Sequence, residues 1–193
     1  RIGMTGSVNA GMQQGTYGNQ FIGFNINNND GRKNSNFNFN YSRRNSFEQI
    51  ITDRIFASDS MLSQDAYTKY PGSNLYGSFG ITYDLAKKWE LTYDATASYN
   101  QFDNNSENIN NLFKISTGEA FSNSLNKVNN EGSNFSIGTG FETKYKIDSL
   151  GSEWTTDTWY NHTINKSNQF SSTKYDSPFP VLFVGDGIAN SDR

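Results

Sequence analysis

Between residues 75 and 100 the chain reads LYGSFGITYDLAKKWELTYDATASYN, and alternate positions sort by polarity. Leu75, Gly77, Phe79, Ile81 and Tyr83 fall on one side; Tyr76, Ser78, Gly80, Thr82 and Asp84 fall on the other. After the connection Leu85-Ala86-Lys87-Lys88 the split resumes. Trp89, Leu91, Tyr93, Ala95, Ala97 and Tyr99 oppose Glu90, Thr92, Asp94, Thr96, Ser98 and Asn100. A period of two on both sides of a tight join predicts a β-hairpin. Ten residues at about 3.3 Å each, tilted by about 45°, rise about 25 Å, the height of the apolar band on an outer-membrane barrel. A soluble sandwich is the competing expectation, but its strands usually run about five or six residues. The apolar set here is also aromatic and small rather than rich in Val, Ile and Leu, and the uniformly polar opposite side suits a watery lumen.

The same alternation recurs along the chain. Ile2, Met4, Val8, Ala10 and Met12 mark a first strand, and Ile22, Phe24 and Ile26 a second. Asp30-Gly31, a dipeptide that tolerates positive φ, turns the chain into a third strand. There Phe37, Phe39 and Tyr41 oppose Asn36, Asn38 and Asn40. Residues 43–74 read as a long connection, although Phe47, Ile51 and Ile55 keep the third strand's parity. Phe47, Ile50, Ile51 and Ile55 also fit a helical stripe behind a Ser46-x-x-Gln49 capping box; the continued strand is the preferred reading. The hairpin of residues 75–100 supplies strands four and five. A second long connection spans 101–132, and a sixth strand carries Phe135, Ile137, Phe141 and Tyr145. After a short turn, Trp154, Thr156, Thr158, Tyr160 and Ile164 define a seventh strand, with Trp159 pointing the other way. Residues 166–193 read as loop. Long and short connections thus alternate, as extracellular loops and periplasmic turns do in outer-membrane barrels. Short turns are flanked by Tyr83 and Trp89 in one case and Tyr145 and Trp154 in the other, the expected aromatic girdle.

Composition sharpens this picture. Only 34% of the 193 residues are hydrophobic, yet 15% are aromatic, with a mean hydropathy of −0.75. No apolar run approaches the roughly 18 residues of a transmembrane helix, which leaves a β-barrel open. A net charge of −3 without a basic patch argues against nucleic acid. With no cysteine and one histidine, His162, the zinc, thiol and Ser-His-Asp chemistries lack ligands or partners. No enzymatic constellation and no cofactor are expected. The chain opens in mid-pattern and finishes in loop, and seven strands cannot close an even-stranded barrel. Bare edges would be templates for aggregation. The expectation is therefore an all-β fold, with residues 1–193 forming part of one larger barrel domain with long extracellular loops.

The stretches RIGMTGSVNAGMQQGTYGNQ, NDGRKNSNFNFNYSRR and GSNLYGSFGITYDLAKKWELTYDATASYN resemble the barrel region of TonB-dependent outer-membrane receptors of Bacteroidota, in the outer membrane protein beta-barrel group. The resemblance covers residues 1 to about 166 and is one of texture and spacing. It implies a barrel of about 22 strands around a plug and energy-coupled uptake of a bulky nutrient. The implied partners are the lipid bilayer, TonB through a plug outside this chain, and surface lipoproteins or other outer-membrane proteins on the loops. A structural barrel that scaffolds a surface or secretion complex is the alternative.

A few side chains are candidates for binding or modification. Tyr67 and Tyr70 in the first long connection, and Tyr175 and Phe179 in the tail, could stack on a flat ligand or pack between loops. Asp59-Ser60-Met61 and Asp148-Ser149-Leu150 match the Asp-Ser-aliphatic acceptor of Bacteroidota O-glycosylation, which makes Ser60 and Ser149 candidate sites. Asp53, Asp59 and Asp65 are spaced at six, too far apart for a calcium loop.

Overall fold

In the computed structural model, which describes residues 2–56, 59–176 and 182–192, every helix or strand is a strand. β1 (Gly3–Gln14) and β2 (Gly18–Asn29) have 12 residues each. β3 (Lys33–Phe56) and β7 (Glu153–Asp176) have 24, β5 (Trp89–Lys114) has 26, and β4 (Ser60–Ala86) and β6 (Ala120–Lys146) have 27. β8 (Leu182–Asp192) has 11. They form one antiparallel sheet in sequential order, β1 to β8, which is not closed.

Alternation explains the register where one face is apolar. Val8 lies opposite Phe24 and Ala10 opposite Ile22 across β1 and β2; Ile22, Phe24 and Ile26 then face Tyr41, Phe39 and Phe37 across β2 and β3. A slip of one residue would reverse every one of these side chains. The β2–β3 turn is closed by local bonds. The Asn29 and Asp30 side chains accept from the amides of Gly31, Arg32 and Lys33, and Gly31 sits at φ 94°. A side chain there would strain the backbone.

The structure corrects the strand count and the loops. The described residues form eight strands rather than seven, and the expected long connections are mostly strand. Residues 44–56 continue β3, as the parity of Phe47, Ile51 and Ile55 suggested, and 60–74 open β4. Residues 101–114 end β5 and 120–133 begin β6; 166–176 extend β7, and β8 lies in the presumed tail. The physical reason is that 60–74, 101–114, 120–133 and 166–176 are mainly polar, with apolar residues scattered over both sides. Pairing of neighbouring backbones holds them extended without an apolar stripe to announce it.

The chain divides into two compact units. The first comprises Arg1–Arg43, Ser73–Asn100 and Asn134–Asn165; the second comprises Arg44–Gly72, Gln101–Ser133 and Lys166–Arg193. No hydrophobic side chain among the described residues is buried. A sheet of this size in water would ordinarily hide its apolar face against a second layer.

Candidate functional site

The first unit carries a band without charge. On its aromatic face the alternate positions are Phe37–Tyr41 on β3, Leu75–Tyr83 on β4, Trp89–Tyr99 on β5, Phe135–Tyr145 on β6 and Trp154–Ile164 on β7. None of these positions holds Asp, Glu, Lys or Arg, and neither do the matching positions of β1 and β2. Continuing at the same parity, charges return at Arg43, Lys69, Asp103, Glu131 and Lys166. These lie at or just past the boundaries between the two units. The five or six alternate positions on each of β4 to β7 correspond to about 25 Å of tilted strand, while β3 contributes three.

Aromatic rings mark one end of the band. Trp89 and Tyr145 meet at 4.8 Å between ring centroids, with Lys88 Nζ 5.9 Å from the Tyr145 ring and donating to the Ile147 carbonyl. The pairings Ser136–Thr163 and Ile147–Ser152 share one antiparallel register, which sets Tyr145 opposite Trp154. Tyr83 has the same parity at the end of β4 and is exposed. Tyr41 and Tyr99 occupy the other end of the band, a second pair that the search around short turns missed. They were findable from the sequence, because both are the last aromatic before the charges return.

The opposite face of this unit carries mainly amides and hydroxyls, with charged groups such as Asp94, Glu142 and Asp157 on β5 to β7. Asn25 donates to Ser7, Asn38 donates to Ser78, and Thr82 and Thr92 share a bond of 3.2 Å. Asn134 donates to Asn165, and Ser136 bonds Thr163 at 3.1 Å. Each polar side chain meets its neighbour on the next strand, so cross-strand pairing satisfies much of the face. Large rings enter this face beside glycines: Phe21 lies over Gly11, and Trp159 over Gly140.

In the second unit the aromatic-face parity turns polar. Lys127 pairs with Glu107 at 2.7 Å, and Asn129 donates to both Asp103 and Asn105. The ion pair holds the Glu107 carboxyl below its ordinary range, through the Lys127 hydrogen bond first and its charge second. Both partners are half exposed, so the pair contributes little to stability.

The remaining candidates are scattered. Tyr67 and Tyr70 lie on β4 rather than in a loop, with opposite parity. Tyr67 packs at 5.6 Å from Phe47, while the Tyr70 hydroxyl donates to Glu48. Tyr175 is on β7, and Phe179 lies outside the described residues. Tyr67 and Tyr70, facing opposite ways, do not form one aromatic cluster. Ser60 is 9% exposed at the start of β4, whereas Ser149 is exposed in the turn at 147–152. Asp148 there accepts from the amides of Leu150 and Ser152.

The Asp30 turn has a testable pH dependence. Backbone amides of Arg32, then Lys33, hold its carboxyl below the usual aspartate range. A lowered carboxyl pKa stabilises the turn above the unfolded-state value, and that support is lost as pH falls through the folded one. Protection of the Arg32 and Lys33 amides, taken relative to their intrinsic exchange rate at each pH, is expected to fall below about pH 4, and Asp30→Asn is expected to remove this pH dependence. An unchanged profile in the variant would show that the carboxylate is not the cap.

A scan against protein-family models finds no match, and a comparison with curated proteins finds no similar sequence.

Proposed function

We propose that this chain is part of the wall of a bacterial outer-membrane β-barrel, with its charge-free aromatic face toward lipid and its amide-rich face toward the lumen. The observation that carries the reading is the band itself. Seven adjacent strands lose charge on the aromatic face, while on β4 to β7 the opposite face keeps charges such as Asp84, Asp94, Glu142 and Asp157, and no apolar side chain among the described residues finds a protein core. In water such a face would associate or aggregate; in a bilayer it matches the solvent. The Trp89–Tyr145 contact beside Lys88 suits the interface, where rings with a polar tip sit between hydrocarbon and water.

The transport role follows from the family resemblance: a plugged barrel that takes up a bulky nutrient with energy supplied through TonB. A wall of amides, hydroxyls and a few carboxylates is compatible with passage of a hydrated solute.

Topology provides the test. β5 runs from the turn at 87–88 to the turn at 115–119, so Thr117 and Lys87 mark its two ends. The end where the charge-free band meets the turns at 87–88 and 147–152 is assigned to the periplasm, and the end reached through the polar remainder of β5 to the outside. In intact cells, Thr117→Cys is expected to react with an impermeant thiol reagent, and Lys87→Cys or Ser149→Cys only after the outer membrane is permeabilised. Labelling of all three in a soluble fraction would rule out the membrane reading. Labelling of Lys87→Cys alone would invert the topology.

A further inference from the structure

Trp159 differs from the chain's other two tryptophans. Trp89 and Trp154 belong to the aromatic face, whereas Trp159 occupies the amide-rich face and is 75% exposed. Its ring lies over Gly140, which is buried beneath it. A Cβ on that glycine would come within 2.6, 2.8 and 2.9 Å of three ring carbons, Cζ3, Cε3 and Cη2. Three adjacent ring atoms at nearly equal distance mean that the indole lies against the sheet. One face of the ring is used on the backbone, and the other is left open.

The surroundings define what could lie on that open face. Asn161 follows Trp159 at the same parity and stands beside Gly138 and Ser136. On the other side, Asp157 on β7 and Glu142 on β6 share the face by alternation. The nearest cation of that parity, Lys144, is already 4.0 Å from Glu153. The site therefore combines a flat apolar platform, amide and hydroxyl groups able to donate and accept, and carboxylates that accept only. Carboxylates repel an anionic ligand. A purely aromatic ligand would leave the polar rim unpaired, which costs binding energy.

We propose that Trp159 is a stacking platform for a neutral saccharide ring, whose C–H face lies on the indole while its hydroxyls bond Asn161, Asp157 and Glu142. This rests on the barrel reading in placing the face in the lumen, but the geometry at Gly140 is independent of it. Gly140 is then a positioning residue, because only glycine lets the indole lie flat.

The test uses the whole barrel-forming polypeptide in detergent micelles, and the contribution of Trp159 to its emission is read as the difference from the Trp159→Phe variant. The probes are maltohexaose, cellohexaose and mannohexaose, with hexagalacturonate as the anionic counterpart. A saturable change in emission is expected with at least one neutral probe and not with hexagalacturonate. Isothermal titration of that probe should show binding abolished in Trp159→Ala. Gly140→Val should weaken it by about tenfold, with heat-modifiable migration showing that each variant is folded. No saturable change with any neutral probe, or equal affinity in Trp159→Ala, would overturn the proposal and leave the barrel reading intact. Trp159-dependent binding by a chain that fails to enter liposomes would do the reverse.

Discussion

Arginine in place of Phe79 or Leu91 is expected to cost about 2–4 kcal/mol of folding free energy in a bilayer, because both lie within the charge-free band. The control is the adjacent residue. Ser78 and Thr92 point to the amide-rich face, where Ser78 accepts from Asn38 and Thr92 bonds Thr82. Arginine there gives up one hydrogen bond, about 0.5–1.5 kcal/mol, and keeps its charge in water. Urea titration of the protein folded into liposomes measures both. The four variants differ only in parity along β4 and β5, so equal losses for the two pairs would refute the assignment of faces.

The second large effect concerns the edges of the band. β1 pairs with β2, and no strand covers its other side among the described residues. β8 pairs with β7 from Lys166 to Tyr175. Residues 153–165 of β7 therefore have β6 on one side and no strand on the other among the described residues. Those residues belong to the first unit, where the band lies. In hydrocarbon each unpaired backbone group costs several kcal/mol. About five such groups on each edge amount to on the order of 10 kcal/mol or more, comparable with the whole stability of a typical domain. Residues 1–193 expressed by themselves are expected to give aggregates or a swapped oligomer in detergent. In the proposed barrel, β1 and this part of β7 would each pair with a further strand. A compact, heat-modifiable monomer of these residues would show instead that the two edges meet and close a small barrel.

The hairpin around Lys87-Lys88 was legible from the sequence because one face of each strand is aromatic and the other polar. The period-two signal there is a direct image of one aromatic and one polar face of the sheet. The same holds for the Asp30-Gly31 turn, whose chemistry is local, and for Trp159, whose parity breaks the pattern of its own strand. The charge-free band was equally present in the residue order, since Arg43, Lys69, Asp103, Glu131 and Lys166 bound it. What the residue order could not show is strand without contrast. Residues 60–74, 101–114, 120–133 and 166–176 are mainly polar, with apolar residues scattered over both faces, so alternation leaves no clear trace in hydropathy, and they pass for loop. They are extended because neighbouring strands pair with them, and pairing is a property of two segments together. The tertiary structure also decided that Trp159 meets Gly140. Those residues are 19 positions apart on different strands, and only the register of β6 against β7 brings the ring onto the one backbone position without a Cβ to hold it off.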